Sequence, residues 1–137
     1  MPTDPSDAES LEGREFAARA PYTVTSEAVA DFAAATGWAG DRVPPTFPIV
    51  VAFHAMAEFM VAGGLDLSRV VHGDEKFVYE RSIGVGDTLS AVLTVDGVRR
   101  VRTNDFYKTT TLITDDTGAL VCTATATIVH RDVEDAA

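Results

Sequence analysis

The stretch Thr46-Phe47-Pro48-Ile49-Val50-Val51-Ala52-Phe53-His54-Ala55-Met56-Ala57-Glu58-Phe59-Met60-Val61-Ala62-Gly63-Gly64 decides how the chain folds. Between Ile49 and Ala62 only His54 and Glu58 are polar. Pro48 suits the first turn of a helix, where its missing N–H costs nothing. Thr46 is placed to cap that turn, and Gly63-Gly64 stops the helix. A helix that is apolar nearly all round has to be enclosed nearly all round. In a small domain the least costly enclosure is a curved sheet wrapped about it, with a second subunit over what remains.

The sequence downstream supplies that sheet. From His72 to Ile83, Phe77 and Tyr79 alternate with charged neighbours, and from Thr88 to Val101, Leu89, Ala91, Leu93 and Val95 line one face. Phe106 to Thr114 and Ala119 to His130 are rich in β-branched residues, with Leu120, Cys122, Ala124, Ala126 and Ile128 on alternate positions. Gly84–Asp87 and Asp115–Gly118 have turn chemistry, so the last two strands form a hairpin. Upstream, Arg14 to Val24 reads as an edge strand broken at Pro21. A helix follows, capped by Thr25 or Ser26 and closed by Gly37, with Ala28, Val29, Phe32, Ala33 and Thr36 on its buried face. Helices early and strands late make this an α+β chain, and a sheet wrapped about one long helix is a hot-dog layout.

Composition narrows the function. The 137 residues fit one domain, expected over 12–131 between disordered acidic tails at 1–11 and 132–137. Lysines and arginines number 11 against 21 acids, a net charge of −10 that repels nucleic-acid phosphates and anionic lipid. Neither nucleic acid nor membrane is therefore an expected partner. No apolar run reaches the ~18 residues of a membrane span, and Met1–Glu9 has prolines and acids where a signal peptide needs basic and then apolar residues. Cys122 is the only cysteine, which fits a reducing, cytoplasmic setting.

Three groups of residues carry a family resemblance. They are Phe32-Ala33-Ala34-Ala35-Thr36-Gly37, Pro44-Pro45-Thr46-Phe47 at the start of the apolar helix, and His72-Gly73-Asp74-Glu75-Lys76-Phe77 followed by Gly86-Asp87-Thr88-Leu89. In order and spacing they resemble the N-terminal domain of MaoC-like dehydratases, including the non-catalytic A and C subunits of mycobacterial (3R)-hydroxyacyl-ACP dehydratase. The resemblance spans about residues 12 to 130. It implies a hot-dog fold, an acyl-CoA or acyl-ACP ligand, and a dimer, either with a catalytic MaoC-like subunit or with a second copy.

One departure from that family matters more than the match. Catalytic members place Asp-x-Asn-Pro-x-His after the Thr-Gly, because a carboxylate and an imidazole must reach the same reacting atoms. Here Thr36-Gly37 is followed by Trp38-Ala39-Gly40-Asp41-Arg42-Val43 and at once by Pro44-Pro45. Setting Gly40–Pro44 on the catalytic segment puts Val43 in place of asparagine and leaves Thr46 where the histidine belongs. The resemblance therefore implies a subunit of a hydro-lyase without its own Asp/His segment.

Other candidate residues follow from position. Phe47, Val50, Phe53 and His54, in the first two turns of the apolar helix, are expected to bind substrate, since free N–H groups there polarise a thioester carbonyl. Glu58 stands one turn beyond His54 and is the alternative catalytic carboxylate, of a self-sufficient acyl-CoA thioesterase; the plainer reading is a paired surface or interface group. Arg99, Arg100 and Arg102, with Lys108, form a basic cluster on an acidic chain. It is either a solvated hairpin end or a dock for coenzyme A phosphates or an acidic carrier. His72 is expected to be structural or part of a solvated turn, and His130 exposed near a fraying end. No metal-ligand spacing, phosphate loop or serine elbow is present, so neither a metal site nor a nucleotide cofactor is expected.

Overall fold

A computed structural model describes residues 10–131. The tails expected at the ends lie outside the described residues, apart from Ser10 and Leu11. Leu11 is not part of a loose tail: it is 2% exposed and packs in the core. A single leucine in an acidic stretch has no periodicity to betray it. The Glu12 carboxylate next to it accepts a hydrogen bond from Val98 N at 3.0 Å.

Six strands form one antiparallel sheet. β1 (Glu15–Ala17) and β2 (Tyr22–Thr23) are the two halves of the strand expected to break at Pro21. Both pair with β4 (Thr88–Val101), Phe16 opposite Leu93 and Tyr22 opposite Leu89. β4 pairs with β5 (Asn104–Asp115), β5 with β6 (Leu120–His130), and β6 with β3 (Val70–Tyr79), so the order is β1-β4-β5-β6-β3. β3 is therefore a free edge ten residues long, and none of its residues is buried. The inner face of the sheet carries Leu89, Ala91, Leu93 and Val95 from β4, Tyr107 and Ile113 from β5, and Cys122, Ala124 and Ile128 from β6.

Helix α1 (Ser26–Thr36) starts and stops as its sequence requires. Thr25 Oγ1 accepts from Ala28 N at 3.1 Å, and Gly37 closes it with φ 73°. Its apolar face is only half-buried, however, and Thr36 is exposed, donating its hydroxyl to Phe32 O at 2.9 Å. Helix α2 (Pro48–Ala62) is the helix at the centre of the fold. The expected cap at Thr46 is not formed. After Pro44-Pro45 the chain already turns helically, with Phe47 N donating to Pro44 O and Ile49 N to Thr46 O, so Phe47 occupies the cap position. Gly64, with φ 66°, ends the helix in the left-handed region as Leu65 N reaches Met60 O.

α2 buries Val51, Ala52, Ala55, Met56, Phe59 and Met60 against β4 and β1, and leaves Phe53, His54, Val61 and Ala62 exposed. Phe59 is wholly enclosed, with its ring 5.6 Å from Phe16 and 5.2 Å from Tyr107. Phe59→Ala is expected to lower stability by about 3–5 kcal/mol through lost transfer energy and the cavity left behind. Urea denaturation of the purified chain measures it.

Candidate functional site

The short connection from α1 to α2 folds onto itself. Trp38 Nε1 donates to Arg42 O at 2.9 Å, and Gly40 lies so close to the indole that an added Cβ would sit 2.5 Å from ring carbon Cζ2. Tyr79, the last residue of β3, donates its hydroxyl to Pro45 O at 2.6 Å and ties the connection to the sheet edge. Burial pushes the Tyr79 phenol up to about 12, so at neutral pH it stays a donor.

Between this connection and the segment joining β3 to β4 lies a cleft of about 510 Å³. Trp38, Val43 and Pro45 form one wall; Tyr79, Ile83 and Val85 form the other. Asp41, Arg42 and Ser82 supply polar groups. The second wall is braced from behind. Arg81 bonds Asp87 at 2.8 Å and Asp115 at 3.3 Å, while Asp87 also accepts from Gly84 N at 2.9 Å. These hydrogen bonds hold the carboxyls of Asp87 and Asp115 below the ordinary value. For Asp115 the bond from the Thr117 hydroxyl is the largest cause, and its value falls to about 2.

The residues expected to bind substrate do not lie together. Phe47 is fully buried, its ring 6.3 Å from that of Tyr22 and 5.5 Å from that of Phe32, so it belongs to the core. Val50 is half-buried, and Phe53 and His54 face outward. His54 stacks obliquely on Tyr22 at 5.5 Å. Glu58 is held by Arg19, whose Nε lies 3.2 and 3.1 Å from its two carboxylate oxygens. No hydrogen bond joins His54 to Glu58 among the described residues; each has its own partner on the segment between β1 and the start of α1.

The basic cluster stands at the β4–β5 turn, the far end of β4 from the cleft, on the order of 40 Å along the strand. Arg100 bonds the buried Asp105 at 3.0 Å, and Arg99 lies over the Phe106 ring at 5.8 Å. Arg102 takes the turn with φ 59°, and Lys108 is exposed opposite Gly97. Two of the four are thus engaged within the hairpin. His72 bonds Glu75 at 2.7 Å beside a bulge in β3, and burial pushes the Glu75 carboxyl up. His130 is not exposed as expected: it is 8% accessible, and its Nε2 accepts from Asp66 N at 3.1 Å. Pairing on both sides, with Val70 and Asp105, places the strand end inside the sheet.

Residues 14–124 match the family of the FAS1-like dehydratase domain region. The chain belongs to that family. The UPF0336 protein Lxx02810 of Leifsonia xyli subsp. xyli is 34% identical over 152 aligned positions, covering 98% of this chain and 99% of that protein. Among solved structures, the truncated HadBC (3R-hydroxyacyl-ACP dehydratase) complex of Mycobacterium tuberculosis superposes with a TM-score of 0.71 at 24% identity, over 87% of this chain and 96% of that one. A MaoC-like dehydratase superposes with a TM-score of 0.71 at 26% identity, over 93% of this chain and 44% of the other. The hot-dog fold expected from the apolar helix is the fold of this FAS1-like dehydratase domain.

The cleft of this FAS1-like domain was not foreseen, because its walls come from segments some forty residues apart. Its bracing has a pH signature. Asp115 and Asp87 have depressed folded-state pKa values, so the stability they contribute is complete above their ordinary value of 3.8 and is lost as pH falls toward about 2. The stability difference between wild type and Arg81→Ala should therefore be constant near neutrality and shrink between pH 4 and pH 2. Denaturant titrations at several pH values read it.

Proposed function

We propose that this FAS1-like dehydratase domain is the non-catalytic, acyl-binding half of a heteromeric (3R)-hydroxyacyl-thioester dehydratase or hydratase. The α1–α2 connection carries this reading. It holds one carboxylate, Asp41, and no imidazole. The three histidines lie against Tyr22, Glu75 and the backbone of Asp66, and no hydrogen bond or ion pair joins any of them to Asp41 among the described residues. Hydration of an enoyl thioester needs a base to activate water and an acid to protonate the α-carbon, within reach of the same substrate. A partner subunit of the same fold would bring that pair.

The need for a partner also has a physical basis. A ten-residue strand edge with no buried residue offers unpaired N–H and C=O groups, and α2 separately exposes Phe53 (46% accessible) and Val61 (76%). Both call for a cover of similar shape: a catalytic hot-dog subunit in the cell and a second copy when the chain is expressed alone. Sedimentation at micromolar concentration is expected to show a dimer; a stable monomer speaks against this arrangement.

The alternative, a stand-alone acyl-CoA thioesterase using Glu58 with His54, has a cost in this geometry. Arg19 occupies both oxygens of the carboxylate that would act as base. One experiment separates the readings. The purified chain should neither hydrate enoyl-CoA nor hydrolyse acyl-CoA, and hydratase activity should appear when a MaoC-like protein with the complete Asp-x-Asn-Pro-x-His segment is added. Glu58→Ala should leave that activity in place and change stability by no more than about 1 kcal/mol, the scale of an exposed ion pair. Hydrolysis by the lone wild-type chain, abolished in Glu58→Ala, overturns the proposal.

A further inference from the structure

The Trp38–Tyr79 cleft has no part in the subunit contacts argued above, and its construction points to a ligand. Its walls are apolar on both sides, yet it is framed by rigid parts. The indole of Trp38 is fixed by its N–H bond to Arg42 O and by Gly40 pressed against the ring. The opposite wall is held by the Arg81–Asp87–Asp115 network and by the bond from Tyr79 to Pro45 O. A cleft fixed before binding loses little conformational entropy when filled, which favours an apolar guest.

Charge narrows the guest further. On a chain with net charge −10, Arg19, Arg69, Arg81 and Arg100 are each tied to a carboxylate. Among the described residues, Arg14, Arg42, Arg99, Arg102, Lys76 and Lys108 have no ion-pair partner, and of these only Arg42 lines the cleft, next to Asp41. A ligand with an apolar body and an anionic head outside the cleft suits that pattern. An acyl group joined to coenzyme A, or to an acidic carrier, has both parts.

Resting on the acyl-binding reading above, we propose that the acyl chain of the thioester lodges in this cleft against the Trp38 indole, with the anionic carrier outside, near Arg42. The site differs from the one expected on α2, where Phe47 is sealed in the core and Phe53 and His54 face outward. It would make Trp38 and Val85 determinants of the chain length accepted.

Trp38 is the only tryptophan in the chain, so its emission reports on this cleft alone. Octanoyl-CoA titrated into the full-length protein, alone and with a catalytic partner, should shift that emission to shorter wavelength and saturate, while coenzyme A alone should not. Val85→Arg, a change at a residue 58% exposed, should raise the apparent Kd at least tenfold with an unchanged far-UV circular dichroism spectrum. An equal shift with coenzyme A alone overturns the placement of the acyl chain. So does loss of the shift in Phe53→Ser but not in Val85→Arg. Calorimetric binding of octanoyl-CoA with unchanged Trp38 emission removes the cleft and leaves the acyl-binding reading standing. No binding with or without the partner removes both.

Discussion

The structure depends on the need to keep one apolar helix out of water. α2 has only His54 and Glu58 as polar side chains between Ile49 and Ala62, and each large apolar side chain left exposed forgoes about 1.5–3 kcal/mol. The sheet meets that need from one side. β4 lies under the helix, β1 and Leu11 close one flank, and Phe16, Phe59 and Tyr107 form a continuous ring contact through the centre. The enclosure is incomplete, because one sheet of this size curves around part of a helix. The exposed strip at Phe53 and Val61 and the open edge at β3 are two results of the same geometry.

This constraint explains why the fold was legible and several details were not. Alternation in Leu89-x-Ala91-x-Leu93-x-Val95 and in Cys122-x-Ala124-x-Ala126-x-Ile128 is a local property, and it put β4 and β6 within a residue or two of their observed limits. The Thr25 cap and the Gly37 stop are local as well. What escaped depends on contacts distant in sequence. Burial of His130 needs β3 and β5 on both sides of β6, and the Arg19–Glu58 pair joins residues thirty-nine apart. Thr46 had the chemistry of a cap, but the helical turn begun at Pro44 moved the helix start past it.

The candidate site divides in the same way. That the α1–α2 connection lacks an imidazole is legible in the sequence, because the spacing between Gly37 and Pro44 leaves no room for the catalytic segment. That the same connection builds one wall of a cleft is not legible, since the other wall comes from residues 79–85 beyond the helix. Helical position alone placed Phe47 with Val50 and Phe53 on a substrate face. Rotation about α2 instead sends Phe47 inward between Tyr22 and Phe32 and turns Phe53 outward.

On the proposed non-catalytic reading, the short connection and the absence of an Asp/His pair have one physical basis. A loop that presents a carboxylate and an imidazole to substrate must hold both side chains by further bonds while leaving their reactive atoms free. The polar groups here are used otherwise. The indole N–H of Trp38 closes the loop on Arg42 O, the amide of Phe47 closes a turn on Pro44 O, and the carbonyl of Pro45 is taken by Tyr79 from the sheet edge. Each bond pulls the connection down against the N-terminal end of α2 and stiffens it. An acid and a base placed in so short a loop would displace those bonds, and the wall they hold against Ile83 and Val85 would open. On that reading, a rigid apolar cleft and a catalytic loop would compete for the same ten residues.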